Sequence, residues 1–123
     1  MQSKQIYEFG PFHLDPAERI LSREGRMVSL TPKAFETLAV LVENNGHLVG
    51  KEELIQRVWP DTIVEESNLN NIIYMLRKAL ADDFSEHKYI ETISKRGYRF
   101  VAEVRLAAER EKTPDNVAAS FAL

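Results

Sequence analysis

The chain has 123 residues, 44% of them hydrophobic and 28% charged, which leaves room for one domain around a single core and excludes a fibrous repeat or general disorder. It contains no cysteine, which excludes disulfides, thiolate metal sites and cysteine nucleophiles, and agrees with a reducing compartment, the cytoplasm by default. The net charge of −3 weighs against a nucleic-acid partner only as a total, because a local basic surface is what attracts phosphate.

The first residues lack the apolar stretch of a signal peptide, and no run approaches the ~20 apolar residues of a membrane span, so this chain by itself is expected to be soluble. Between residues 6 and 30 short apolar runs alternate with the turn signals Gly10-Pro11, Asp15-Pro16 and Glu24-Gly25. This pattern predicts three or four short antiparallel strands, the last two, near 19–22 and 27–30, paired directly around Gly25.

At Thr31 the period changes. Thr31 suits an N-cap and Pro32 a first helical position, and Phe35, Leu38, Leu41 and Val42 recur at helical spacing up to Asn45-Gly46, predicting a helix over about 32–44. After the extended pair Leu48-Val49, a second helix is expected from Lys51, with Glu52 and Glu53 in its first turn, burying Leu54, Ile55, Val58 and Trp59 before Pro60 ends it. A third helix is expected to start between 64 and 67 and end near 81, with Leu69, Ile72, Ile73, Leu76 and Leu80 as its apolar stripe. The polar stretch with Asp82, Asp83, Glu86 and His87 reads as a solvated loop. "YIETI" and "YRFVAEV" then read as two strands around the turn 94–97, so that a domain over 1–106 is followed by a linker or disordered tail over 107–123.

Opposite the stripe of the third helix lie Ser67, Asn71, Tyr74 and Lys78, flanked by Asn70, Met75 and Arg77, and Asn68 is expected with them near bases or phosphates. Amides pair with adenine edges, and Met and Tyr touch thymine methyls, so this face suits a major groove better than the Glu-rich surface of an idle helix. Lys95, Arg96 and Arg99 put a charge of +3 into six residues without an acid, enough for a hairpin tip to reach phosphate or a minor groove; the plain alternative is a solvated tip. No catalytic or metal constellation is present: His13, His47 and His87 are far apart, and 46–51 lacks the spacing and the Ser or Thr of a phosphate-binding loop. The reading is therefore a non-enzyme without a cofactor.

Leu30-Thr31-Pro32-Lys33, Val58-Trp59-Pro60, Leu76-Arg77-Lys78-Ala79-Leu80 and Gly97-Tyr98-Arg99-Phe100 stand in an order and spacing that closely resemble the OmpR/PhoB-type DNA-binding domain, including its ToxR/CadC-like branch. The resemblance runs from about Tyr7 to Val104. It implies an α+β winged helix-turn-helix: an N-terminal antiparallel four-stranded sheet, a three-helix core and a C-terminal β-hairpin wing. It also implies that the third helix reads the major groove of double-stranded DNA, that the wing contacts the minor groove or backbone, and that loop 60–65 faces RNA polymerase or a neighbouring protomer. By the same resemblance Thr31 and Lys33 lie near phosphate, and Trp59 packs or contacts the backbone, packing being favoured. Tyr74 and Met75 stand where the family often has arginines, and the cations and acids balance from 64 to 101, which points to a weak monomeric binder working cooperatively on direct-repeat half-sites, as a homodimer or in tandem. The rival reading is a protein-interaction module docking onto polymerase or another regulator. These 123 residues hold no receiver domain of the phosphorelay type, and the expectation is an arrangement resembling membrane-anchored regulators in which this chain would be an N-terminal fragment.

Overall fold

A computed structural model describes residues 5–81 and 89–107. The expected acidic loop over 82–88 and the expected tail from 108 onward lie outside these residues. Strands β1 (Tyr7–Phe9), β2 (Phe12–Asp15), β3 (Ile20–Arg23) and β4 (Arg26–Val28) form an antiparallel meander. Phe9, Phe12, Leu14 and Leu21 turn to its buried face, as the two-residue period requires. Glu24 and Gly25 both adopt positive φ, +52° and +86°, so that Arg23 pairs with Arg26 across a two-residue turn whose twist matches its strands.

Helix α1 (Pro32–Glu43) starts where Thr31 Oγ1 accepts from the Ala34 N–H at 3.2 Å, with Pro32 at its first turn, and it stops short of Gly46, which has φ +85°. Its buried side carries Ala34, Phe35, Leu38, Leu41 and Val42 and forms the centre of the core against the other two helices. Each fully buried leucine there contributes about 1.5–3 kcal/mol. Strand β5 (Leu48–Gly50) leads into α2 (Lys51–Val58), and α3 (Glu66–Leu80) follows. All five residues of the expected α3 stripe are buried, whereas in α2 only Leu54 and Val58 are fully so; Ile55 and Trp59 are half-buried and pack on the core from its edge.

Strands β6 (Ile90–Ile93) and β7 (Gly97–Phe100) form the expected hairpin, and β5 pairs with the other side of β7 to make a three-stranded sheet in the order β5-β7-β6. The expected strand "YRFVAEV" is strand only as far as Phe100, and its last residues lead to a later short strand. The ladder ends with Ile90 opposite Phe100, closed by one further bond from the Val101 N–H to the Tyr89 carbonyl at 2.8 Å, and the chain then crosses over to pair β8 (Arg105–Leu106) with β1. The N-terminal sheet therefore has five strands, in the order β4-β3-β2-β1-β8, where four were expected. Asn45 Nδ2 donates to the carbonyls of Phe100 and Ala102, at 3.0 and 2.7 Å, and holds this crossover against the end of α1.

β7 can lie this close to β5 only because residue 97 is glycine: a Cβ there would stand 2.0 Å from the Val49 carbonyl oxygen. Gly97→Ala is expected to cost about 2–3 kcal/mol in urea unfolding, as an overpacked contact against backbone that cannot move aside.

Candidate nucleic-acid interface

Helix α3 presents a continuous exposed face of Ser67, Asn68, Asn70, Asn71, Tyr74, Met75 and Lys78. Its last-turn cations Arg77 and Lys78 complement the helix dipole at its carboxyl end. The two neighbours behave differently. Lys78 points outward with Nζ 5.4 Å from the centroid of the Tyr74 ring, whereas the half-buried Arg77 guanidinium donates to the Ile90 carbonyl at 2.9 Å and to Thr92 Oγ1 at 2.8 Å. Arg77, expected among the DNA-facing residues, thus braces α3 against β6.

A second tie joins α3 to the wing. Tyr98 is buried on β7 and its hydroxyl donates to Asn70 Oδ1 at 3.0 Å. Burial pushes the Tyr98 pKa up, against the opposing pull of Lys51 and Arg77, so the phenol keeps its proton at neutral pH. With Oδ1 held by this donor, the Asn70 amide has its N–H groups left for an acceptor outside.

The wing tip 94–96 is exposed. Lys95 has φ +65°, and the Arg96 N–H closes the turn on the Ile93 carbonyl at 2.9 Å. The Arg96 carbonyl in turn accepts from the Lys51 N–H at 3.1 Å, which seats the tip beside the start of α2. A shallow groove of about 630 Å³ lies there, where Lys51, Lys95 and Arg96 face Glu52, Glu53 and Glu66. Lys51 Nζ donates to Glu66 Oε2, and this bond, opposed by desolvation, raises the Lys51 pKa. Arg99 stands back from the tip, half-buried on the outer side of β7 and 3.9 Å from Glu91 Oε1.

Thr31, Lys33 and Trp59 form a separate cluster. The Thr31 side chain caps α1, and Lys33 Nζ donates to the Val58 carbonyl at 2.7 Å, so Lys33 caps the carboxyl end of α2 next to the half-buried Trp59. This cluster lies one α2 length, roughly 12 Å, from the wing-side start of that helix. The structure therefore brings Ser67, Asn68, Asn71, Tyr74, Met75 and Lys78 onto one helix face, sets Lys95 and Arg96 at the wing tip, and assigns Arg77, Lys33 and Thr31 internal bonds. Asn70 was placed on the flank of the third helix by its period, whereas Lys51 and Tyr98 were missed as site residues. Their only sequence signals are a lysine at the start of α2 and a tyrosine in alternation with Phe100. Among the described residues no group of three or more His, Cys, Asp or Glu side chains could hold a metal ion, and no helix is long and apolar enough to cross a membrane.

A meander, three helices and a hairpin whose tip seats beside the helix pair α2 and α3 match a known arrangement. The profile of the family described as "Transcriptional regulatory protein, C terminal" matches residues 25–100. The chain belongs to this family. It is an OmpR/PhoB-type winged-helix domain, a DNA-binding transcription-regulator domain and not an enzyme. The transcriptional regulator HilA of Salmonella typhimurium is 39% identical over 98 residues, which are 80% of this chain and 17% of HilA. The transcriptional activator CadC of Escherichia coli is 32% identical over 107 residues, 86% of this chain and 21% of CadC, so the chain spans only a small part of either relative. Among solved structures, the DNA-binding domain of Escherichia coli CadC superposes with a TM-score of 0.72 at 29% identity, covering 85% of this chain and 99% of that one. The Klebsiella pneumoniae RstA DNA-binding domain, solved in complex with the RstA box, superposes with a TM-score of 0.68 at 26% identity, covering 78% of this chain and 96% of that one.

The contrast between the adjacent OmpR/PhoB-type helix cations is directly measurable. Arg77→Ala is expected to lower unfolding stability by about 1.5–3 kcal/mol, as the loss of charge-assisted bonds to β6, while Lys78→Ala changes it by less than about 0.5 kcal/mol.

Proposed function

We propose that this domain binds duplex DNA sequence-specifically to regulate transcription, with α3 in the major groove and the wing tip on the adjacent minor groove or backbone. The observation that carries this reading is the uninterrupted exposed face of Ser67, Asn68, Asn71, Tyr74, Met75 and Lys78, beside a wing tip bearing Lys95 and Arg96. The groove-facing cations are few. Lys51 is bonded to Glu66, Arg99 lies near Glu91 and Arg77 is turned to β6, which leaves Lys78, Lys95 and Arg96 outside the ion pairs of the described residues. A single domain then binds weakly, and two domains on direct-repeat half-sites multiply their modest affinities. Lys33 and Trp59 act in this reading by fixing the α1–α2 junction, and Thr31 offers the start of α1 to a phosphate.

The salt dependence of binding tests the assignment. About three phosphate contacts per domain predict log K falling linearly with log salt at a slope near −3, and Arg96→Ala is expected to make the slope shallower by about 1. A flat salt dependence, or no retention of any duplex at low salt, would overturn DNA binding.

Loop 60–65 supports a protein contact in addition. Ile63 is 100% exposed at its centre, the most exposed of the large apolar side chains among the described residues. In this reading the loop faces RNA polymerase or the neighbouring protomer. Ile63→Ser is expected to reduce promoter output several-fold in a reporter assay while leaving the DNA affinity of the isolated domain within about twofold, since the loop makes no base contact.

A further inference from the structure

The class of base that α3 reads follows from what its outward face lacks. Arg77, the one arginine on α3, is bonded to Ile90 and Thr92 of β6, and Lys78 lies in the last turn against the Tyr74 ring. From Ser67 to Met75 the outward positions carry only hydroxyl, amide, phenol and thioether groups. Tyr74 and Met75 are 52% and 37% exposed, two adjacent large side chains uncovered at the middle of the face. The Lys78 ammonium near the Tyr74 ring limits that ring's freedom before any ligand arrives. Asn71 precedes Tyr74 by three residues and Met75 by four, so the amide and the two apolar groups are surface neighbours.

Guanine is read best by a bidentate arginine or lysine at O6 and N7, adenine by an amide at N6 and N7, and thymine by apolar contact with its C5 methyl group. The first of these is missing from the centre of the face; the other two are adjacent on it. We infer that the half-site read by α3 centres on A·T pairs, with the Asn71 amide on an adenine and Tyr74 and Met75 against thymine methyl groups. The inference rests on the DNA binding proposed above and names its base chemistry. It also assigns the phenol and thioether a function that burial cannot explain, because neither joins the core.

The test uses the full 123-residue chain and a duplex selected from a random pool. Single thymines are replaced by uracil, which removes only the methyl group, and single adenines by 7-deazaadenine, which removes only the N7 acceptor. Uracil at one or two positions per half-site is expected to weaken binding about three- to fourfold each, the loss of one methyl-sized contact. Tyr74→Ala and Met75→Ala are expected to bind the thymine duplex more weakly and to lose the difference between thymine and uracil, and Asn71→Ala to lose the sensitivity to 7-deazaadenine. Asn71 and Tyr74 are exposed, so their variants should keep the melting temperature, and the variant at Met75, 37% exposed, should lower it only slightly. Equal binding of thymine and uracil duplexes by the unaltered chain, or a selected half-site whose α3-protected pairs are G·C, overturns the inference while leaving DNA binding intact. Failure to retain any duplex overturns the DNA reading itself and this inference with it.

Discussion

Tyr98 and Phe100, two residues apart on β7, both turn inward and reach opposite halves of the molecule. Tyr98 donates to Asn70 on α3, and Phe100 packs edge-on against Phe9 of β1, ring centroids 5.0 Å apart, and beside Tyr89 at 6.3 Å. The Phe100 carbonyl accepts from the Gly46 N–H at 2.9 Å and from Asn45 Nδ2, so the end of β7 is also fixed to the end of α1. One four-residue strand thereby positions the wing against α3, the sheet and the central helix together. The packing depends on the closeness of β5 and β7 at Gly97, and a side chain there would separate the wing from everything it is aligned to.

That alignment decides which charges face outward. An acidic chain presents a basic surface where its acids lie elsewhere or are paired, and both occur here. Glu66 is taken by Lys51, Glu91 stands near Arg99 and Glu36 bonds Arg19 at 3.1 Å, and α3 itself carries no acid from Ser67 to Leu80. The ion pairs on this surface contribute little to stability, about 0–1 kcal/mol each in water, so their consequence is the shape of the field. The same pairing withdraws cations. Lys51 and Arg77 would raise non-specific affinity for phosphate if they faced outward; bonded as they are, they order the junction between α2, α3 and the wing.

Most of the fold was legible because the core of each element is written locally. The α3 stripe, the Thr31-Pro32 helix start and the turn at Glu24-Gly25 follow from residue types and spacing within a few positions, and the structure reproduces them. What could not be read depends on distant partners. "YRFVAEV" alternates as one strand should, and only its pairing with β6, through Ile90 opposite Phe100 and one last bond between Val101 and Tyr89, shows where the ladder ends before the chain turns to β1. The site divides the same way. Helical period places Arg77 on the flank of α3, where it could turn either way, and the register of β6, which puts the Ile90 carbonyl and Thr92 within reach, decides the direction. Asn70 and Tyr98 lie 28 residues apart, and nothing near either residue announces their bond.

Under the proposed function, a binding face built from amides and apolar groups constrains how the domain is used. Cations attract every duplex alike, so adding arginines to α3 would raise binding to the intended site and to all competing DNA together. Adenine-edge and methyl contacts exist only at matching bases, so they add to the intended site alone and preserve the ratio of specific to non-specific binding at low absolute affinity. Tandem occupancy then restores the affinity. A second domain held beside the first gains an effective concentration that unrelated DNA, lacking the repeat, cannot supply. Under the function proposed here, the shortage of groove-facing cations and the expected use of repeated half-sites are parts of one physical solution: discrimination resides in the helix face and occupancy in the spacing of the sites.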